Sequence, residues 1–251
     1  MANILIEENT MTAIGNAIRN KNKTTIKYKP AEMPAAIDNL VVTDTSAEDD
    51  LVTRSITEYT NDRVTSVGAG AFKEWTDLVY CTLPNVEEMG TGALQSSGLV
   101  VADFPKLTTT TQQTFSNCKS LNSVNLPLLT QVNAYDFESC SALTEITLPS
   151  VTFVNSNGFN SCTSLEKIDL PVCTIFNVST KCYKLKTLIL RNTDKACTLS
   201  SYGRFDDTLI GAGSGYIYVP SALLSTYTSN SNYSDFASQF RAIEDYPEIC
   251  G

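Results

Sequence analysis

A repeat of 22 residues constrains the fold of this chain more than any other feature of its sequence. Four positions of the repeat, called slots below, hold the same residue type in three consecutive copies. They hold Phe115, Phe137 and Phe159; Cys118, Cys140 and Cys162; Leu121, Leu143 and Leu165; and the Leu-Pro pairs that begin at Leu126, Leu148 and Leu170. Degenerate copies begin upstream at Phe72 and Leu94, and a downstream copy contains Cys182 and Leu185. The chain therefore holds about six copies of one unit.

Each copy predicts one short strand that ends at a proline. Ile146 and Leu148 are two residues apart, so both side chains point to the same, inward face of a strand. Pro149 ends the hydrogen bonding of that strand because proline has no N–H group. A unit this small cannot bury its own apolar side and must stack on its neighbours. The sequence thus predicts a mainly β solenoid over residues 64–200, a leucine-rich repeat of about six coils of ~22 residues each.

The repeat phase also predicts where five of the eight cysteines lie. One inward slot holds Cys118, Cys140, Cys162 and Cys182. Cys81 takes the inward slot of Ile146 in another copy. Buried cysteine behaves as a small apolar residue, so a ladder of free thiols is favoured, and disulfides between coils are the alternative. The C-x-x-C pairs typical of zinc sites are absent from the sequence, and Cys250 is expected to be an exposed thiol.

Composition excludes several classes of function. The chain has no histidine, which rules out Ser-His-Asp and Cys-His catalysis and histidine-ligated zinc. The net charge of −9 disfavours binding to nucleic acid or to an anionic membrane. Composition does not exclude glycoside hydrolysis, which needs only two carboxylates. No cleft is indicated, however, around the outward acids Asp103, Glu145 and Asp169. We therefore expect no enzyme activity, no metal and no cofactor.

The two ends of the chain differ from the repeats. Residues 1–42 have apolar residues at helical spacing and predict a short helical hairpin. Residues 43–63 form an acidic linker and a lead-in strand, and residues 201–251 predict an α/β cap that covers the last coil. The hairpin is either an N-terminal cap or a docking module. Its candidate docking residues are Met11, Ile14, Ile18, Met33 and Ile37.

Two rows of outward residues are candidate contact surfaces. The exposed face of the strands is rich in hydroxyl groups, and its outward positions include Val101, Ser123 and Ile189. The candidate ligand face consists of Tyr80, Thr82, Asp103, Asn125, Glu145, Thr147, Lys167, Asp169 and Thr187. A second row follows the Leu-Pro pairs, where Phe153 and Ile175 form a candidate apolar contact. Single exposed apolar residues are also ordinary, so an interface and a plain surface both remain open for this row.

The unit F-x-x-C-x-x-L-x-x-[VI]-x-L-P resembles the BspA-type leucine-rich repeat over residues 64–200. Such repeats occur in bacterial surface adhesins, protist surface proteins and phage structural proteins, so the resemblance implies recognition of a surface. Residues 11–40 are similar to a short module at the start of tail and other virion proteins of phages that infect Gram-positive bacteria. The matching positions are Thr12, Ala13, Ile14, Ala17, Ile18, Arg19, Pro30, Met33 and Ile37.

These resemblances imply a phage virion protein of the tail or baseplate. Residues 1–42 would attach it to other virion proteins, and the repeats would adhere to host-surface carbohydrate or protein. We expect it to be made in the host cytoplasm without a signal peptide, to reside in the virion, and to be a possible homo-oligomer without membrane insertion. The alternative is a bacterial or protist surface-type repeat protein in protein–protein recognition, and the third possibility is a head decoration protein.

Overall fold

The computed structural model describes residues 56–177, 181–199 and 205–250, and they form a solenoid of stacked coils. Two rows of parallel strands run along it. The first row consists of β1 (Glu58–Thr60), β3 (Tyr80–Thr82), β5 (Val101–Asp103), β7 (Ser123–Asn125), β9 (Glu145–Thr147), β11 (Lys167–Leu170), β13 (Thr187–Leu190), β15 (Tyr216–Val219) and β16 (Phe240–Ala242). The second row consists of β2 (Ser66–Val67), β4 (Glu88–Met89), β6 (Thr109–Thr110), β8 (Gln131–Val132), β10 (Phe153–Val154), β12 (Ile175–Phe176) and β14 (Thr198–Leu199).

The 22-residue period sets the register between neighbouring coils. Ile146 of β9 pairs with Ile168 of β11, and Val132 of β8 pairs with Val154 of β10. A slip of one residue would turn every inward side chain outward, so burial of one face fixes the register. The first coil, β1 with β2, precedes the recognisable repeats, yet Tyr59 keeps the register by pairing with Cys81.

The turn that carries the phenylalanine slot is held by a third set of backbone hydrogen bonds. The Phe115 N–H donates to the Asp136 carbonyl at 2.9 Å, and the Phe137 N–H donates to the Gly158 carbonyl at 2.8 Å. Residues two before and two after the slot have left-handed backbone, as in Tyr135 (φ 61°) and Ser139 (φ 59°). This conformation is uncommon outside glycine, and the bonds to the next coil hold it in place.

The phenylalanine slot forms a buried stack along the solenoid. The rings of Phe115 and Phe137 have centroids 5.2 Å apart, and those of Phe137 and Phe159 are 5.5 Å apart, with the planes nearly parallel. Leu121, Leu143 and Leu165 are fully buried around it. The predicted inward slots are therefore confirmed.

The cysteine slot is buried as predicted, and each of its thiols donates a hydrogen bond to the preceding coil. The acceptor is the carbonyl of the residue in the phenylalanine slot. The bonds are Cys118 to Leu94 (3.1 Å), Cys140 to Phe115 (3.2 Å), Cys162 to Phe137 (2.9 Å) and Cys182 to Phe159 (3.1 Å). Burial raises the pKa of the Cys118 thiol to about 11, so it remains protonated and can donate. Cysteine thus supplies both a small apolar side chain and a weak donor here.

A row of threonines links the coils on the outside, just before the second row of strands. Each hydroxyl donates to the backbone carbonyl one coil earlier. The donors are Thr108 (to Glu87, 3.1 Å), Thr130 (to Thr108, 3.2 Å), Thr152 (to Thr130, 3.3 Å) and Thr174 (to Thr152, 3.1 Å). These bonds pair side chains with carbonyls that also accept backbone N–H groups.

Residues 205–250, called the C-terminal segment below, contain short helices beside β15 and β16. Three 3₁₀ helices span Phe205–Asp207, Ser231–Gln239 and Ile243–Asp245, and two α-helices are α1 (Ser221–Thr228) and α2 (Pro247–Cys250). Pro220 lies between β15 and α1, because it cannot donate to the strand ladder but is tolerated where a helix begins. In the ranges that the structure describes, no helix is long and apolar enough to cross a membrane.

The predicted hairpin of residues 1–42 lies outside the described residues, as do the docking residues Met11, Ile14, Ile18, Met33 and Ile37. The same holds for the linker up to residue 55. Of the residues predicted to form the linker and lead-in strand, 56–63 are described, and β1 lies among them.

We predict that Leu143→Ala lowers the free energy of unfolding by roughly 2–5 kcal/mol, because it leaves a cavity between coils. Leu128→Ala is a matched control, since Leu128 is 47% exposed in the same part of the solenoid. Urea unfolding of both variants measures the difference. Equal unfolding curves for wild type and Leu143→Ala would contradict the assigned register.

Candidate functional site

The first-row face is open to solvent along its N-terminal part. The exposed members of the candidate ligand face are Tyr80, Thr82, Asp103, Asn125, Glu145 and Thr147. Tyr80 is 49% exposed, and the Asn125 amide donates to the Asp103 carboxylate at 2.8 Å. Because these residues stand at outward positions of consecutive strands, they form one continuous surface, called the open face below.

The same face is covered in its C-terminal part by the end of the chain. Ile189 of β13 and Tyr218 of β15 point outward but are buried, and Ile243, Tyr246 and Ile249 pack against them. The Lys167 ammonium donates to the Ile249 carbonyl at 3.1 Å. Lys167 and Thr187 are consequently only partly exposed. The expectation of a solvent-exposed face along the whole row is wrong here.

Asp169 is also withdrawn from solvent, because it forms an ion pair with the next coil. It is 5% exposed and accepts hydrogen bonds from the Arg191 guanidinium, with Nη2 2.7 Å from Oδ2 and Nε 3.0 Å from Oδ1. This two-pronged geometry is the strongest form of the arginine–carboxylate contact. The prediction that Asp169 stands on a solvated face is therefore wrong, and the carboxylate holds two coils together instead.

The residue pattern of β13 and β15 indicates that their outer face is covered. Strands with one buried face alternate apolar and polar residues, as in Glu145–Thr147. Thr187–Leu190 and Tyr216–Val219 lack that alternation and read TLIL and YIYV. Continuous apolar strands are buried on both faces, so these two segments indicate that something packs on the outside.

Phe153 and Ile175, the candidate apolar contact, pair with each other across β10 and β12. Phe153 is half-buried and Ile175 is 38% exposed. The structure adds two exposed apolar residues that follow Leu-Pro pairs or their equivalents, Leu128 and Val172. Sequence reasoning missed them, although their position after each proline is a repeated slot.

Asp136 is a buried carboxylate whose burial the repeat pattern does not predict. Its Oδ2 accepts from the Thr110 hydroxyl at 2.7 Å and from the Asn133 N–H at 2.8 Å, and its Oδ1 accepts from the Thr114 N–H at 3.1 Å. Burial raises the pKa of Asp136, and these hydrogen bonds oppose the shift. Its partners lie in its own coil and the preceding one, which indicates a role in holding the coils together.

Two tyrosines of the C-terminal segment close the end of the second row. The Cys197 N–H donates to the Tyr227 hydroxyl at 2.6 Å, and the Leu199 N–H donates to the Tyr233 hydroxyl at 2.9 Å. The last strand, β14, thus has side-chain acceptors at its outer edge. Burial raises the pKa of both tyrosines, so the hydroxyls remain neutral.

The open face has two carboxylates, and they do not stand on neighbouring strands. Asp103 and Glu145 lie on β5 and β9, with β7 between them. In the described ranges, no group of three or more histidine, cysteine, aspartate or glutamate residues is placed to hold a metal ion. The arrangement offers a surface with an exposed tyrosine, hydroxyls and carboxylates, which suits binding.

Fold and surface together define a leucine-rich repeat solenoid. The family described as the BspA type leucine rich repeat region matches residues 53–166 and 112–208, with six copies of the repeat. This covers more than half of the chain, and the protein belongs to that family. The match begins at residue 53 and does not include residues 1–42.

Solved structures similar to this chain are also leucine-rich repeat proteins. The leucine-rich repeat protein of T. pallidum is 25% identical, with a TM-score of 0.46, over 54% of this chain and 67% of that one. A leucine-rich cell surface protein of Faecalibacterium prausnitzii is 19% identical (TM-score 0.37) over 69% of this chain and 56% of its own. A Bacteroides ovatus protein is 25% identical (TM-score 0.41) over 62% and 43%. The chain thus spans about half the length of the last two. Among curated protein sequences, none matches this chain.

We predict that Asp136→Ala destabilises the solenoid by about 1–3 kcal/mol at pH 4, because two buried donors and one half-buried donor lose their acceptor. The loss should be smaller at pH 8. A raised pKa means that the folded state holds the Asp136 proton more tightly than the unfolded state, so wild-type stability falls as pH rises through the folded pKa.

Urea unfolding of wild type and variant at both pH values measures this difference. The exposed Asp103→Ala is the control, and it should change stability little. A cost of Asp136→Ala that grows with pH would contradict the assignment.

Proposed function

We propose that this protein is a non-catalytic recognition protein that binds a protein partner through the open face. The observation that carries the proposal is the division of the first row into a solvated part and a part covered by the chain itself. The covered part supports the proposal, because apolar residues of the C-terminal segment pack there against strands of the same row. Membership of the BspA-type repeat family supports a role in recognition.

The charge of the open face favours a basic partner. In the first-row strands β1, β3, β5, β7 and β9, the outward positions include the acids Glu58, Asp103 and Glu145. None of these outward positions has lysine or arginine. Tyr80 adds an exposed aromatic side chain, which is a residue type enriched at the energetic centre of interfaces. A partner segment with lysine or arginine beside an apolar or aromatic residue would complement this surface.

Peptide display on the immobilised full chain tests the proposal without a known partner. We predict that basic peptides are enriched, and that Tyr80→Ala together with Asp103→Lys weakens their binding at least tenfold. Phe153→Ser is the matched control, because it alters the second row and should leave binding unchanged. High salt should weaken binding as well, since exposed charge pairs are screened.

A glycan array with the same variants separates protein from carbohydrate recognition. Glycan binding that depends on Tyr80, with no enriched peptides, would replace the protein partner by a carbohydrate. Peptides that bind all variants equally would refute the open face as the site.

A phage virion is the second candidate setting, and residues 11–40 favour it because they resemble the virion module. In that setting residues 1–42 attach the protein to a tail or baseplate and the repeats face the host. The protein would then reside in the particle, with other virion proteins and a host-surface molecule as partners. A head decoration would use the same attachment.

Deletion of residues 1–42 in the producing phage tests this setting. We predict particles that assemble but lack the protein, detected by mass spectrometry of purified virions. Incorporation at full copy number would contradict the attachment role, and absence of the intact protein from wild-type virions would rule out the virion itself.

A further inference from the structure

Two cysteines outside the thiol ladder lie side by side near the C-terminal end of the solenoid. Cys173 precedes β12 and Cys197 precedes β14, and these strands are neighbours in the second row. Their sulfur atoms are 3.8 Å apart, which is contact distance, and the Cys197 thiol donates toward the Cys173 sulfur. Both residues are buried.

The Cys173 thiol donates to the Ile175 carbonyl at 3.2 Å, whereas Cys197 differs from the ladder thiols in its partners. Each ladder thiol donates to a backbone carbonyl of the preceding coil, as Cys140 does to Phe115 at 3.2 Å. The Cys197 thiol instead has two partners at 3.8 Å, the Cys173 sulfur and the Thr198 carbonyl oxygen. Among the hydrogen bonds described, this is the one in which a thiol donates to another sulfur atom.

We propose that Cys173 and Cys197 are a thiol modification site that hydrogen peroxide or a small disulfide converts into a disulfide bond between two coils. The bond would join the coil of β12 to the coil of β14. The Cys197 N–H is held by Tyr227, so the bond lies where the C-terminal segment meets the solenoid.

The chemistry assigns a separate role to each sulfur. The hydrogen bond from Cys197 lowers the pKa of the Cys173 thiol, while the same interaction and burial raise the pKa of Cys197. The Cys173 thiolate attacks one peroxide oxygen, the O–O bond breaks, and the hydroxide that leaves takes up a proton to become water. The Cys197 sulfur then attacks the Cys173 sulfenic acid, the S–O bond breaks, and the hydroxide takes the Cys197 proton. Two thiols lose two electrons, and one peroxide becomes two waters.

The bond would act on the stability of the terminal coils. The pair is separated by 24 residues in sequence, so the disulfide closes a loop that the unfolded chain would otherwise leave open. It would form in an oxidising environment and stay reduced in a cytoplasm that contains glutathione. The solenoid would therefore be stiffer outside the cell than inside it.

Peptide mapping of the full chain tests the assignment. The native chain is treated with hydrogen peroxide. A second sample is refolded in reduced and oxidised glutathione, because the buried Cys173 and Cys197 thiols are accessible to the reagent before the chain folds. Trypsin separates the two thiols, because Lys181 and Lys195 lie between them. We expect one cross-linked pair, of peptides 168–181 and 196–204, that has lost two hydrogen atoms.

Thermal unfolding gives a second readout. The oxidised chain should melt about 5 °C or more above the reduced chain, and Cys197→Ser should abolish this difference. Cys250→Ser is the control that should retain both the cross-link and the shift. Refolded chains that keep Cys173 and Cys197 reduced, or pair them with ladder cysteines, would overturn the proposal, as would an oxidised chain without the shift.

Discussion

No 22-residue coil can bury its own apolar side, so the solenoid depends on the stacking of neighbouring coils. Hydrogen bonds between the coils hold this stack in register. Parallel strands supply two rows of these bonds, and the phenylalanine turn supplies a third. The thiols and threonine hydroxyls extend the same principle to side chains, since each donates to a carbonyl one coil away. The left-handed residues around each turn persist because the coils above and below fix them. Local conformation here is a consequence of stacking.

The strands, the inward slots and the burial of the cysteines were predictable from the sequence because they repeat. Once the inward positions of one copy are known, the 22-residue period predicts that Phe137, Cys140 and Leu143 point inward as well. The first coil was less evident, because its strands β1 and β2 lack the repeat motif and follow the register only through pairing with β3 and β4.

Long-range contacts between non-repeating residues were not predictable in this way. The covering of Ile189 and Tyr218 requires residues 243–249, which lie far along the chain and carry no repeat. The pairing of Asp169 with Arg191 depends on a single arginine in a slot that holds proline in other copies. Asp136 occupies a slot that is small elsewhere, such as Gly158, and its burial follows from its three donors. Each exception breaks the period, and the first two remove outward residues of the first row from solvent.

The tyrosines at the end of β14 have a consequence for assembly. A row of parallel strands that ends with unpaired N–H groups is a template on which another chain can add a strand, and growth from such an edge leads to fibres. Tyr227 and Tyr233 occupy two of these donors with hydroxyl groups, which accept a hydrogen bond but cannot continue a backbone ladder. At this end of the second row, these two N–H groups are therefore not open to a strand of another chain. The two hydroxyls that join the C-terminal segment to β14 thus also occupy the edge at which an added strand would pair.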